Sequence, residues 1–322
     1  MKRIGELALH FGFIRPHQLD LALSDQKKSG KKESLRHVLR RLNFISEREY
    51  EVLSGAVDKE ERKNKICLDW IARYTGVPPE EYGKALLFTN FFDYLNIACE
   101  LYDIDPKQIS NQRLMMPALK ISNDISLVCI RMGSPNIALA VDIFSAINPT
   151  CMLFIGKCGG IKRSVKIGDF VLPSSAIRAE GTSNDYLDPA VPALPAFKLH
   201  EIAAKELARE ELRYLTGVVH TTNRRLWEFD DRFCHRLVQE KVIAVDMETA
   251  TFFSVAFANK IPGGALLMVS DMPLSEVKTS RKDRTVSRKY SHLHLNLGCK
   301  TLRKSLLSPR LKHYDFGFSE NA

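Results

Sequence analysis

Short apolar runs and segments with helical periodicity alternate along the second part of the chain. The run 264–269, Gly-Ala-Leu-Leu-Met-Val, contains no polar side chain, which predicts a strand covered on both faces. Helical patterns, with apolar residues three and four positions apart, separate such runs. This alternation predicts an α/β fold in which helices flank a mixed sheet. The predicted strands are 125–131, 151–156, 169–177, 215–221, 243–247 and 265–270, and the predicted helices are 134–147, 197–207, 231–239, 248–259 and 285–306.

The first 56 residues follow a different pattern, which is repeated once. Each half consists of a helix, a tight turn, an isoleucine and a second amphipathic helix. Gly12 and Asn43 occupy equivalent turn positions, and these two residue types adopt the left-handed conformation most easily. The repeat predicts a small helical module at 1–56.

This module resembles the N-terminal domain of type II secretion and pilus ATPases, some of which bind cyclic di-GMP. The first half keeps four residues of that pattern: Arg3, Gly5, Gly12 and Gln26. The second half has other residues where the pattern has Arg, Gly and Gly: Ser34, Arg36 and Asn43. The missing glycines would have allowed close backbone approach to a ligand. A helical docking module for a protein partner is therefore favoured over a cyclic dinucleotide site.

The run 57–66 is dense in charge, which predicts a linker. A larger domain with a helical start is then expected to cover 67–322.

Composition is ordinary for a soluble globular protein, with 45% hydrophobic residues, and no apolar run is long enough to cross a membrane. The seven cysteines are scattered, and the nine histidines lack metal-ligand spacing. A cytoplasmic protein without a disulfide framework or a metal site is expected.

The net charge of +9 is concentrated near the end of the chain. Residues 278–312 contain eleven Lys or Arg and a single acid, Asp283. Basic clusters bind nucleic acid in many proteins, but no interleaved aromatic residues or recognised nucleic-acid motif accompany this one. A solvated basic helix with a few phosphate-binding side chains is the favoured interpretation.

Three motifs stand where predicted strands end: Gly-Lys-Cys-Gly-Gly at 156–160, Val-Asp-Met-Glu at 245–248 and Val-Ser-Asp at 269–271. Parallel sheets place ligands at such ends. A glycine-rich turn can point N–H groups at a ligand, and a carboxylate can accept hydrogen bonds from both hydroxyls of a cis-diol. Together the motifs resemble the purine nucleoside phosphorylase and nucleosidase superfamily, and within it the AMP nucleosidases.

The resemblance implies a three-layer, nucleoside-phosphorylase-like domain that cleaves the N-glycosidic bond of a purine nucleotide. Asp271 would be the general acid at purine N7, because a partly protonated carboxyl group lets the base leave neutral. Met247 and Glu248 would hold the ribose. The loop beside the ribose and the nucleophile would comprise Gly133, Gly156, Lys157, Cys158, Gly159 and Gly160, and the base would contact Trp227 and Ser270.

The glycine-rich motif departs from that of the bacterial hexameric phosphorylases. Those enzymes hold inorganic phosphate with an Arg two residues before the first Gly and a Ser after it, where this chain has Phe154 and Lys157. Without the arginine, phosphate loses a bidentate partner. Hydrolysis by water is therefore expected. A nucleoside phosphorylase or a methylthioadenosine-type nucleosidase is the alternative.

A nucleotide substrate requires cations for its 5′-phosphate. The stretches 71–76 and 86–91 resemble the corresponding stretches of AMP nucleosidases, and a guanidinium group suits phosphate oxygens. The predicted phosphate-binding set is Arg73, Tyr74, Thr89 and Asn90. Lys278 and Arg281 are expected to close over the site.

The predicted reaction is therefore hydrolysis of AMP to adenine and ribose 5-phosphate, with no metal or organic cofactor. Members of the resembled family form dimers, trimers or hexamers, so a homo-oligomer is expected. A protein of another class, a nucleotide-sensing binding protein, is the competing hypothesis. The intact Asp271 and Glu248 argue against it.

Overall fold

The fold was obtained as a computed structural model that describes residues 4–28, 33–274, 280–308 and 311, with only the backbone of 280–289. The chain divides into two compact units, with the division between Asp69 and Trp70. Among the helices of the described ranges, none combines the length and hydrophobicity that a membrane span requires.

The first unit is helical and contains the predicted repeat. Its helices are α1 (Ile4–His10), α2 (Pro16–Lys28), α3 (Leu35–Arg41) and the first part of α4 (Glu47–Thr75). Gly12 and Asn43 have φ angles of 69° and 54°, which confirms the predicted left-handed turns. The isoleucine after each turn, Ile14 or Ile45, is buried in the core of this unit beside Leu39 and Leu53.

The charged run 57–66, predicted as a linker, is helical and lies inside α4. Glu, Lys and Arg have favourable helix propensities, so a charged run can continue a helix that begins in a packed segment. Val57 belongs to the core of the first unit. Whether 57–66 separates two independently folding domains stays a prediction.

Within its described residues the second unit contains all of the predicted strands and helices and, besides the end of α4 and short 3₁₀ helices, three that were not predicted: β1, β2 and α5. Its strands are β1 (Ala85–Thr89), β2 (Ala118–Lys120), β3 (Ile125–Cys129), β4 (Cys151–Gly160), β5 (Phe170–Ala179), β6 (Tyr214–Thr222), β7 (Ala244–Asp246) and β8 (Gly263–Asp271). Its helices are α5 (Asp93–Tyr102), α6 (Ser134–Ser145), α7 (Phe197–Arg209), α8 (Asp231–Gln239), α9 (Thr249–Ala258) and α10 (Ser280–Leu306).

In the described part of the chain the eight strands form one mixed sheet, in the order β2-β3-β1-β4-β7-β6-β5-β8. Strand β8 also pairs in parallel with β4, from Met152 opposite Gly263 to Cys158 opposite Val269. Strands β4 to β8 therefore close into a ring, and β1, β2 and β3 extend the sheet from β4. The predicted mixed sheet is confirmed, but it curls back on itself rather than staying an open layer.

Helices cover both faces of the sheet, as the apolar strands require. On one face, Leu153 and Ile155 of β4 pack in a core shared with α5, α7 and α10. On the other face, the Phe154 ring lies 6.1 Å from that of Phe252 in α9, and Phe88 of β1 lies 5.7 Å from Phe144 of α6.

The expectation of a helical start to the larger domain was only partly correct. Helix α4 ends at Thr75, and Ala85–Thr89 form β1, which pairs in parallel with both β3 and β4. All five residues of β1 are buried. A short, mostly apolar run cannot be assigned to strand or helix by periodicity alone, which explains the error.

A buried hydrogen-bonded chain joins α5, α10 and β8 inside the second unit. The Tyr94 hydroxyl donates to Nδ1 of His294 at 2.8 Å, and Nε2–H of His294 donates to the Leu266 carbonyl oxygen at 2.8 Å. Burial lowers the pKa of His294 to about 4, so the imidazole is neutral, with one donor and one acceptor. Both of its ring nitrogens are thereby satisfied.

Tyr94→Phe is expected to lower the free energy of unfolding by about 1–3 kcal/mol at pH 7, because it leaves Nδ1 of buried His294 without a donor. Tyr102→Phe, in the same helix, is the matched control. The Tyr102 hydroxyl is buried and makes no hydrogen bond to nitrogen or oxygen within the described structure. Urea unfolding followed by circular dichroism measures both variants. Equal losses would contradict the role given to the Tyr94 hydroxyl.

Candidate active site

A cavity of about 290 Å³ opens where several strands of the second unit end. Its wall is formed by the last residues of β4, β7 and β8 and by the segments that follow β1, β3 and β6. Nine of the predicted site residues line it: Asn90, Lys157, Cys158, Gly159, Trp227, Met247, Glu248, Ser270 and Asp271. The three motifs at strand ends therefore meet at one site: β4 and β8 run parallel and end together, whereas β7 pairs antiparallel with the end of β4 and brings its own end to the same place.

The glycine-rich motif is not a turn, and this prediction was wrong. Residues 156–160 are the second half of β4, with a bulge between Cys158 and Gly159. A Cβ atom on Gly159 would lie 2.9 Å from Cγ of Pro273, and one on Gly160 would lie 2.6 Å from Sδ of Met272. The glycines leave room for the segment after β8 to pack directly on the strand.

Glu248 lies at the junction of β7 and α9 and is only 1% exposed. Its Oε1 accepts a hydrogen bond from the N–H of Gly133 at 2.7 Å, and the Asn90 side chain also hydrogen-bonds to it. The Ser134 hydroxyl donates to the Met247 carbonyl oxygen at 2.7 Å. Gly133, which does not itself line the cavity, thus connects the start of α6 to the Met-Glu pair.

Asp246 is buried directly before this pair. Its Oδ1 accepts from the Thr221 hydroxyl at 2.7 Å, and its Oδ2 accepts from the N–H of Thr249 at 2.8 Å and from the Thr249 hydroxyl. Burial raises the pKa of Asp246. Burial, and then the charge of Asp246, raise the pKa of Glu248 to about 8 against the hydrogen bonds from Gly133 and Asn90. No role was predicted for Asp246, although its place in the Val-Asp-Met-Glu motif was a signal.

Asp271 is the last residue of β8 and lies half-buried at the cavity wall. The hydroxyl of Ser270, which is 2% exposed, donates to Asp271 Oδ1 at 2.6 Å. This contact fixes the orientation of the Asp271 carboxyl group.

Two basic side chains line the described part of the cavity. The ammonium of Lys157 lies 4.2 Å from the centre of the Phe91 ring, within cation–π range. Arg225 is exposed and donates to Oε1 of Glu228 at 2.8 Å. No role was predicted for Phe91, Arg225 or Glu228, although the last two lie beside Trp227, which was predicted to contact the base.

Trp227 combines a core position with a place in the cavity wall. Its side chain is 4% exposed and lies with its ring 5.5 Å from that of Phe233 in α8. It belongs to a small core with Ile161 and Val245. Only part of the indole is therefore turned toward the cavity.

Several predicted residues do not line the cavity. These are Arg73, Tyr74, Thr89, Gly133, Gly156 and Gly160. Arg73 is exposed and its guanidinium lies 5.9 Å from the Tyr74 ring, whereas the buried Thr89 hydroxyl accepts from the N–H of Phe91. Lys278 and the side chain of Arg281 lie outside the described residues.

A sequence profile of the phosphorylase superfamily matches residues 118–300, which include β3 to β8 and most of the cavity wall. The chain belongs to the phosphorylase superfamily. Within this superfamily, AMP nucleosidase of Escherichia coli K12 is 27% identical over 286 residues, covering 75% of this chain and 59% of that protein. The chain thus spans about three fifths of the length of this curated relative.

Solved structures of the superfamily show the same relationship. The crystal structure of AMP nucleosidase from Bacteroides thetaiotaomicron is 38% identical, with a TM-score of 0.66 over 75% of this chain and 97% of that chain. Uridine phosphorylase from Vibrio fischeri is 20% identical, with a TM-score of 0.63 over 71% of this chain and 95% of that chain, and shares the fold.

The buried Glu248 predicts a pH-dependent stability. Because its pKa is raised from 4.5 to about 8, the folded protein binds more protons than the unfolded chain in this range. Stability should therefore fall as the pH rises from about 5 to about 8. Glu248→Gln removes this contribution. The difference in the free energy of unfolding, variant minus wild type, should therefore increase as the pH rises.

Urea unfolding at both ends of the range measures this difference, and Glu211→Gln, at an exposed carboxylate, is the control. A difference between Glu248→Gln and wild type that does not change with pH would contradict the raised pKa.

Proposed function

We propose that the chain hydrolyses the N-glycosidic bond of AMP and releases adenine and ribose 5-phosphate. The observation that carries the proposal is the meeting of Asp271 and the Met247–Glu248 pair at one cavity. Identity of 38% to the AMP nucleosidase of B. thetaiotaomicron, over 97% of that chain, supports the choice of substrate.

Asp271 is proposed as the general acid. The glycosidic electrons move to the purine as the bond breaks, and a proton placed on N7 lets the base leave neutral. The 2.6 Å hydrogen bond from Ser270 holds the carboxyl group in one orientation at the cavity wall, which supports this role.

Glu248 and Asn90 are proposed to hold the ribose hydroxyls. With a pKa of about 8, Glu248 is mostly protonated in the free protein near pH 7. Positive charge that develops on the sugar favours its ionised form, and a carboxylate accepts hydrogen bonds from a cis-diol. Asn90 hydrogen-bonds to Glu248, while its own Oδ1 is buried without a partner in the described structure. An acceptor oxygen suits a hydroxyl and repels a phosphate, so Asn90 is placed with the sugar rather than in the predicted phosphate set.

Water is proposed as the nucleophile. Phe154 stands where the resembled phosphorylases carry a phosphate-binding arginine, and its ring is fully buried against Phe252. A side chain in the core cannot hold inorganic phosphate at the cavity, which supports hydrolysis over phosphorolysis.

Incubation with AMP, adenosine and methylthioadenosine, each with and without inorganic phosphate, tests the proposal. Adenine release from AMP is expected to be fastest and independent of phosphate. Release that requires phosphate would favour the phosphorylase alternative, and preference for methylthioadenosine would favour the methylthioadenosine-type nucleosidase.

Asp271→Asn should lose about 100-fold or more in turnover with an unchanged unfolding midpoint, since general acids contribute about 10²–10⁴-fold. Near-normal turnover would reject the acid role.

Lys157 is proposed to contact the 5′-phosphate, because an ammonium group beside the sugar subsite suits a dianion. Lys157→Met should lower kcat/KM for AMP by about tenfold more than for adenosine. Lys162→Met, at an exposed lysine just after β4, is the matched control. If Arg73→Gln has this effect and Lys157→Met does not, the phosphate is bound by the set predicted from the sequence.

A homo-oligomer and a cytoplasmic location are part of the proposal. Leu226 and Phe229, on either side of Trp227 and Glu228, are 67% and 75% exposed, and apolar side chains beside a cavity support contact with a second copy.

For residues 1–56 we propose docking of a protein partner, with cyclic di-GMP as the alternative ligand. A nucleotide-sensing protein without turnover remains the hypothesis of another class, and the AMP assay distinguishes the two.

A further inference from the structure

The segment between β6 and α8 contributes an acceptor without a donor to the cavity wall. Glu228 lines the cavity, and its side chain is 15% exposed. Its Oε1 accepts from Arg225 at 2.8 Å. Its Oε2 is buried and has no hydrogen-bond partner among the described residues. A buried carboxylate oxygen without a donor is unfavourable, so a donor from a bound ligand would complete the site.

The segment is anchored on both sides of Glu228. Trp227 packs on Phe233, and Asp230 caps α8 by accepting from the N–H groups of Arg232 and Phe233. Arg225 holds the Glu228 carboxylate from the exposed side. Glu228 is therefore preorganised, as a residue that recognises a ligand should be.

The proposed substrate offers few donors that could reach this oxygen. Its sugar hydroxyls are assigned to Glu248 and Asn90, whereas Glu228 adjoins Trp227, an aromatic wall suited to a base. N9 of adenine is bonded to ribose in AMP, so the N–H donors of the base are those of its 6-amino group. A carboxylate can only accept hydrogen bonds.

We propose that Glu228 accepts a hydrogen bond from the 6-amino group of the purine, with Arg225 as the residue that positions it. This inference rests on the proposed function, since it takes the cavity to hold a purine nucleotide. A 6-oxo purine presents an acceptor at the same place, and two acceptors repel. Glu228 thereby selects 6-amino purines over 6-oxo purines.

Calorimetric titration of the full chain with adenine and with unsubstituted purine tests this pairing, because the two bases differ only in the 6-amino group. Wild type is expected to bind adenine about tenfold or more tightly than purine. Glu228→Leu should lose this difference, because the affinity for adenine falls while the affinity for purine stays nearly unchanged. Arg225→Gln, which changes an exposed side chain, should reduce the difference in affinity while the protein stays folded. This variant tests the pairing even if Glu228→Leu does not fold. Arg224→Gln, which breaks the neighbouring ion pair with Asp230, should leave the difference intact.

Three outcomes would overturn the inference. The first is an equal loss of affinity for adenine and purine in Glu228→Leu. The second is tighter binding of hypoxanthine than of adenine by wild type, and the third is no binding of adenine by wild type. Tighter hypoxanthine binding would place the carboxylate on the N1–H of a 6-oxo purine. Selective adenine binding without AMP hydrolysis would reject the proposed reaction alone and keep the role of Glu228.

Discussion

The burial of two carboxyl groups, two residues apart, is the constraint on which the cavity depends. Asp246 and Glu248 are 5% and 1% exposed, and burial of such groups is unfavourable unless donors surround them. The donors come from four separate places in the chain: Asn90, Gly133, Thr221 and Thr249. The ends of β1, β3, β6 and β7 must therefore converge for the pair to be accommodated.

Strand β4 serves the core and the cavity at the same time. Its first half is buried on both faces, with Phe154 against α9 and Leu153 in the core shared with α10. Its second half pairs with β7 and β8 across a bulge and turns Lys157 and Cys158 toward the cavity. Because the strand is continuous, packing of its first half determines where the cavity residues of its second half lie along the strand direction.

The described cavity wall is rich in acceptors. Four carboxyl groups line it, Glu228, Asp246, Glu248 and Asp271, with two basic side chains, Lys157 and Arg225. Asn90 Oδ1 and Glu228 Oε2 are both buried without a donor in the described structure. Such a wall suits a ligand with several O–H and N–H donors.

Local patterns in the chain were enough to predict the alternation of strands and helices and the left-handed turns at Gly12 and Asn43, because apolar periodicity and the conformational preferences of single residues set them. The meeting of the strand-end motifs is not local and was expected from their resemblance to a known superfamily. Three features emerge only from the folded chain: the sheet closes through β4 and β8, the glycines make room for packing rather than form a turn, and Glu228 lines the cavity whereas Arg73 does not. Those outcomes depend on contacts between residues far apart in the chain, which no local pattern encodes.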